Sequence, residues 1–94
     1  MSMSLFAVQY FYEGSPQEMA EIRPVHVEFL RGLHESGILK VSGPADGGIS
    51  ALLIFEAESK DYLKDILNQD PFWKSGFIKE RPIREWNPAF GNIG

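Results

Sequence analysis

The segment Leu5 to Tyr12 is apolar on both sides of an extended chain. Phe6, Val8, Tyr10 and Tyr12 share one face, and Leu5, Ala7, Gln9 and Phe11 the other. Such a segment reads as a central strand that must be covered on both sides. The chain has little to cover it with. It has 94 residues and no Cys, and a fold of this length buries only about 60–65% of its unfolded surface. Disulfides and thiolate zinc sites are excluded. Self-association is then the available way to bury more apolar surface.

The remaining elements follow from caps and punctuation. Met1-Ser2-Met3 is compatible with a start carrying a cloning scar. After Glu13-Gly14, Ser15 is a helix N-cap, Pro16 suits the first helical position, and Glu18 completes a capping box. A helix should run to about Ser36 and stop at Gly37. Pro24 lacks an N–H and predicts a kink or a second helix start. Ile38 to Ser42 reads as a short strand, and Gly43 to Gly48 as a turn-rich loop. Ile49 to Phe55 is a strand whose run Ala51-Leu52-Leu53-Ile54-Phe55 implies burial on both faces. Ser59 caps a helix from Lys60 to about Leu67. Asp70-Pro71 starts a short turn through Trp73. Phe77 to Trp86 is the last strand, placed by Pro82 at an edge or on a bulge. Asn87 to Gly94 is a tail, and its Phe90 and Ile93 need a docking place.

The order is β-α-β-β-α-β in one domain spanning residues 1–94. This is the α+β ferredoxin-like arrangement, a four-stranded antiparallel sheet with two helices on one face. The other face is left open while its side chains are apolar. A homodimer packed through that face is the expectation.

Charge and hydropathy exclude several function classes. Thirteen acidic against nine basic residues give a net charge of −4, and no Lys/Arg cluster is present, so nucleic acid is not an expected partner. No apolar run approaches the roughly 18 residues of a membrane span, and no signal peptide is visible. Lack of Cys fits a cytoplasmic protein. Two histidines without local ligand spacing make a poor metal signal, and the glycines match neither a P-loop nor a dinucleotide fingerprint. No metal and no organic cofactor is expected.

His26 and His34 both lie on the first helix. With Ile22 at zero on a helical wheel, Phe29, Leu33, His26, Met19 and Leu30 fall within about 100° of one another. His26 is therefore inside the apolar stripe, Arg23 at its edge, and His34 outside. A histidine on the core face needs partners for its ring nitrogens. One solution is a backbone carbonyl. The other is general acid/base duty, for which imidazole suits neutral pH and wants an orienting carboxylate. Asp70 is the candidate. It also reads as the N-cap of the turn at Pro71, and the two roles are compatible, since a carboxylate has two oxygens. Arg23 offers a fork for a substrate carboxylate, or an ordinary surface ion pair. Ser75 is a hydrogen-bond donor or a plain loop residue. Gly43-Pro44 reads more readily as a turn than as a functional loop. Phe72, Trp73 and Trp86 read as core before pocket.

Arg23-Pro24-Val25-His26, Gly37-Ile38-Leu39, Gly43-Pro44, and Asp70-Pro71-Phe72 with Ser75-Gly76 together resemble the YciI-like proteins of the dimeric α+β barrel group. The resemblance runs from the first strand to about Trp86. It implies a ferredoxin-like protomer, a sheet-to-sheet dimer and a His–Asp pair by a small pocket. The family's histidine falls on His26, its aspartate on Asp70, and a serine suggested in dehalogenating relatives on Ser75. Those relatives include chloromuconolactone dehalogenases and a proposed dehydrochlorinase of chlorinated-aromatic breakdown.

The expected activity is that of a cofactor-independent lyase, isomerase or dehydrochlorinase on a small anionic carbonyl or lactone compound. His26 would act as general acid/base oriented by Asp70. Ser75 or backbone N–H groups would steady the oxyanion, and Arg23 would bind substrate. The alternative is a non-catalytic small-molecule-binding or accessory dimeric module. RNA recognition shares the element order, but Ser50 to Phe55 lacks the basic-aromatic motif such sheets carry.

Overall fold

The computed structural model describes residues 2–93; Met1 and Gly94 lie outside it. Five strands and three helices form in the order β1 (Ser4–Tyr12), α1 (Pro16–Glu35), β2 (Leu39–Ala45), β3 (Ser50–Ala57), α2 (Lys60–Leu67), α3 (Pro71–Lys74), β4 (Ile78–Glu80) and β5 (Ile83–Glu85). The sheet is antiparallel, in the order β2-β3-β1-β4, with β5 also on β1. This is the expected ferredoxin-like α+β fold with one lane divided. Where one last strand was expected, Arg81-Pro82 separates β4 from β5. Pro82 has no N–H to give, but its carbonyl accepts from Gln9 at 3.2 Å, which holds the break against β1.

Local chemistry sets the helix ends. Ser15 Oγ accepts the Glu18 N–H at 3.1 Å, a cap worth about 1 kcal/mol. Its hydroxyl donates to Glu18 Oε1 at 3.0 Å. At the other end Gly37 (φ 88°) supplies the left-handed turn. Gly37 N–H bonds the His34 carbonyl, and Ile38 N–H the Leu33 carbonyl, at 3.1 and 2.9 Å, which satisfies two terminal carbonyls. Pro24 starts no second helix: α1 is continuous across it. Pro24 and Ala20 are both exposed, so the carbonyl that loses its donor there stays near water.

β2 extends through Gly43-Pro44-Ala45, where a loop was expected; Pro44 pairs with Ala51. β2 is an edge strand, so a residue without N–H is tolerated there. The loop shrinks to the tight turn Asp46–Gly48.

The core joins Phe6, Val8 and Tyr10 of β1 to Leu53 and Phe55 of β3, Met19 of α1, Leu63 and Leu67 of α2, and Phe72 of α3. On the opposite side of the sheet Leu52 and Val41 stay 48% and 47% exposed. Phe90 of the tail is 97% exposed; it finds no docking place on its own chain. Among the described residues no helix is long and apolar enough to cross a membrane.

Candidate active site

Three elements deliver one buried polar cluster. α2 ends at Leu67, and a short turn carries the chain to Asp70, whose N–H bonds the Leu67 carbonyl at 3.1 Å. Asp70 caps α3: its Oδ1 accepts the Phe72 N–H at 2.9 Å. The same oxygen lies 2.7 Å from His26 Nδ1 on α1, and Oδ2 accepts the Tyr10 hydroxyl of β1 at 3.3 Å. Capping and histidine orientation thus coexist on one carboxylate. His26 takes a carboxylate rather than a backbone carbonyl as its partner.

Asp70 is fully buried and His26 is 5% exposed. The imidazole stacks on Phe72, with centroids 3.9 Å apart and planes 6° from parallel. Nδ1 is held by Asp70, and no group among the described residues bonds Nε2. Nε2 is therefore the nitrogen open to a ligand. This division between an oriented and a free nitrogen is what general acid/base work by imidazole needs.

Two tyrosines shape the electrostatics. Burial first, and then the charge of Asp70, push the Tyr10 phenol far above its ordinary range, with Arg81 opposing. Tyr12 is raised by burial and Asp70, with Arg23 opposing. Both stay neutral phenols at neutral pH; Tyr10 donates to Asp70, and Tyr12 keeps its O–H proton. Arg81 lies 3.8 Å over the Trp73 ring and donates to Asn68 Oδ1 at 2.8 Å. Burial pulls the Arg81 guanidinium down, and Tyr10 and Asp70 support it.

A cavity of about 660 Å³ lies between α1 and the β1/β2/β3 end of the sheet, within the range of small-ligand sites. Met19, Arg23 and Leu30 of α1 line it, with Tyr12, Leu53 and Pro44 of the sheet. Positions 19, 23, 26 and 30 recur on one helical face, so His26 stands between two cavity-lining residues. Gly43 and Pro44 line the cavity from a strand rather than from a turn.

Arg23 therefore reaches the cavity, with its guanidinium carbon 5.6 Å from the Phe72 centroid. Ser75 is the C-cap of α3 through its backbone. Its exposed side chain is not bonded to the pair and lines no cavity described. His34 Nδ1 lies 2.9 Å from the Leu39 carbonyl. Phe72 is core, Trp73 packs against the core, and Trp86 is 36% exposed. Among the described residues no three His, Cys, Asp or Glu side chains gather as a metal-ligand set. Sequence reasoning missed Tyr10, Tyr12 and Arg81. The alternation of β1 does place both phenols on the core face, where a buried hydroxyl calls for a partner.

The fold and the site together define a ferredoxin-like α+β domain with a buried His–Asp pair and a cavity lined by Arg23 and Leu30, the helix neighbours of His26; His26 and Asp70 are not themselves among its lining residues. The profile of the YCII-related domain matches residues 3–87, and the chain belongs to that family. No curated protein sequence matches it significantly. Among solved structures it is similar to the 5-chloro-2-hydroxyhydroquinone dehydrochlorinase TftG of Burkholderia phenoliruptrix AC1100, in complex with 2,5-dihydroxybenzoquinone. Identity is 27%, the TM-score is 0.75, and the match covers 88% of this chain and 93% of that one. An antibiotic biosynthesis monooxygenase-like protein of Bacteroides thetaiotaomicron VPI-5482 shares the fold at 9% identity and TM-score 0.64, covering 99% of this chain and 95% of that one. A NIPSNAP family protein of Agrobacterium tumefaciens C58 does so at 19% and 0.59, with 94% of each chain covered.

Proposed function

We propose that the protein is a general acid/base enzyme acting on a small anionic carbonyl compound or hydroxylated ring, with His26 as the proton carrier. The observation that carries this reading is the 2.7 Å contact between His26 Nδ1 and the fully buried Asp70 carboxylate. Asp70 fixes the ring and its tautomer, leaving Nε2 as base. Nε2 takes a proton from a carbon next to the carbonyl. The C–H electron pair becomes a double bond, and the charge moves onto the carbonyl oxygen. Where chlorine sits on the neighbouring carbon, chloride leaves with its bonding pair; where it does not, the proton returns elsewhere and the double bond has moved. Arg23 draws in the anion.

Likeness to a dehydrochlorinase supports a chlorinated hydroxyhydroquinone as the first compound to test. In that compound the step runs through the keto tautomer. His26 takes the proton of a ring O–H, the O–H electron pair forms the second carbonyl, the ring double bond shifts, and chloride leaves with its bonding pair from the carbon next to the first carbonyl. Chloride release from 5-chloro-2-hydroxyhydroquinone should be catalysed by the wild-type protein and fall about 10²–10⁴-fold in His26→Asn. An unchanged rate in the variant removes His26 from the mechanism, and no release by the wild type removes dehydrochlorination.

The working unit in this reading is a homodimer. The exposed Leu52 and Val41 mark the sheet face that a second copy would cover.

A further inference from the structure

Among the polar ends of the cavity wall that the protein itself leaves unused are the Tyr12 hydroxyl, the Arg23 guanidinium and the buried Ser50 Oγ. Tyr12 ends β1 and Arg23 lies on α1, and both line the cavity. Among the described residues the Tyr12 hydroxyl makes no hydrogen bond and the Arg23 guanidinium no ion pair. Phe72 spaces them. Tyr12 meets its ring edge-on, at 5.9 Å and 83°. Arg23 lies 5.6 Å from the same centroid, and His26 stacks on that ring as well. The one other charged residue in the lining is the exposed Glu13; Met19, Leu30, Ile49 and Leu53 are apolar.

We propose that Tyr12 and Arg23 form an oxyanion subsite for a planar ligand of phenolate or enolate type. The ligand's charged oxygen accepts the Tyr12 O–H and faces the guanidinium, while its ring lies on the apolar wall. The inference rests on the acid/base reading in one respect: the oxygen held here is the one that gains charge when His26 takes the proton. Burial and Asp70 keep Tyr12 a protonated donor. A neutral donor beside a fixed cation favours an anion over its conjugate acid. Tyr12 takes the donor role that the family resemblance gives to Ser75, whose side chain is exposed.

The test uses 4-nitrophenol, whose neutral and ionised forms differ in absorbance, and 4-nitrotoluene as a neutral analogue. The wild type should bind the phenolate more tightly than the phenol, so that the bound probe ionises at lower pH than the free one. Tyr12→Phe should weaken phenolate binding about 10–100-fold, the worth of a hydrogen bond to a charged group. Its affinity for 4-nitrotoluene should be unchanged, which also shows that the variant is folded. Arg23→Gln should do likewise. Equal phenolate affinity in Tyr12→Phe and wild type, or no anion preference in the wild type, overturns the subsite. If the probe results hold while His26→Asn retains full turnover, the subsite stands and the acid/base reading falls.

Discussion

His26 Nδ1 and Asp70 Oδ1 lie 2.7 Å apart across 44 positions of sequence. Asp70 has anchors besides the histidine, because it caps α3 through the Phe72 N–H and accepts from Tyr10 as well. Phe72 follows in the same turn and sets the plane of the imidazole by stacking. Orientation of the ring is therefore a property of one short turn packed against α1.

In Asp70→Asn one atom must still serve both α3 and His26, because Oδ1 is shared by the Phe72 N–H and His26 Nδ1. With its oxygen kept there the cap and the ring orientation survive, but the negative charge that stabilises the imidazolium is gone. Steady-state kinetics should show kcat down by about 10²–10⁴ with KM little altered. A fall in KM affinity with normal kcat would place Asp70 in ligand binding instead.

Tyr10→Phe removes a buried donor to Asp70 and should cost on the order of 1–2 kcal/mol in urea denaturation. It should also change the pH dependence. The folded phenol is held above its ordinary 10.0 by burial and Asp70, so above about pH 10 the unfolded chain loses a proton that the folded chain keeps. That contribution to stability is complete below this pH and is lost as pH rises. The wild type should thus lose stability more steeply than Tyr10→Phe between about pH 9 and 11. Parallel profiles would show that Tyr10 ionises alike in both states.

Much of this site can be read locally. Ser15, Ser59 and Asp70 sit before their helices with side chains that satisfy N–H groups, and such chemistry needs only near neighbours. His26 is legible because its place in an apolar stripe is a matter of helical period. Pro44 is not: its chemistry suggests a turn, and only the position of β2 at the sheet edge makes it a strand residue. The break at Arg81-Pro82 and the polar contacts of Tyr10 likewise depend on partners far away in the chain.

Gly14→Ala should destabilise by about 1–3 kcal/mol. Gly14 has φ 115°, and a Cβ there would stand 2.8 Å from Phe77 Cδ1. Thermal melts check this; an unchanged midpoint would mean that the turn into α1 relaxes freely.

The native mass should be about twice 10.6 kDa, since the exposed Leu52 and Val41 lie on the sheet face away from the helices, beside the buried Ile54. Light scattering should find the wild type dimeric and Leu52→Lys shifted toward monomer. A wild-type monomer at micromolar concentration contradicts the dimer.

The most direct test of the His–Asp pair is the ¹⁵N NMR spectrum of the His26 imidazole in its neutral form. The proton should sit on Nδ1, hydrogen-bonded to Asp70, with Nε2 bare. A wild-type neutral ring protonated on Nε2 with a bare Nδ1 would contradict the assignment of His26 as the oriented base.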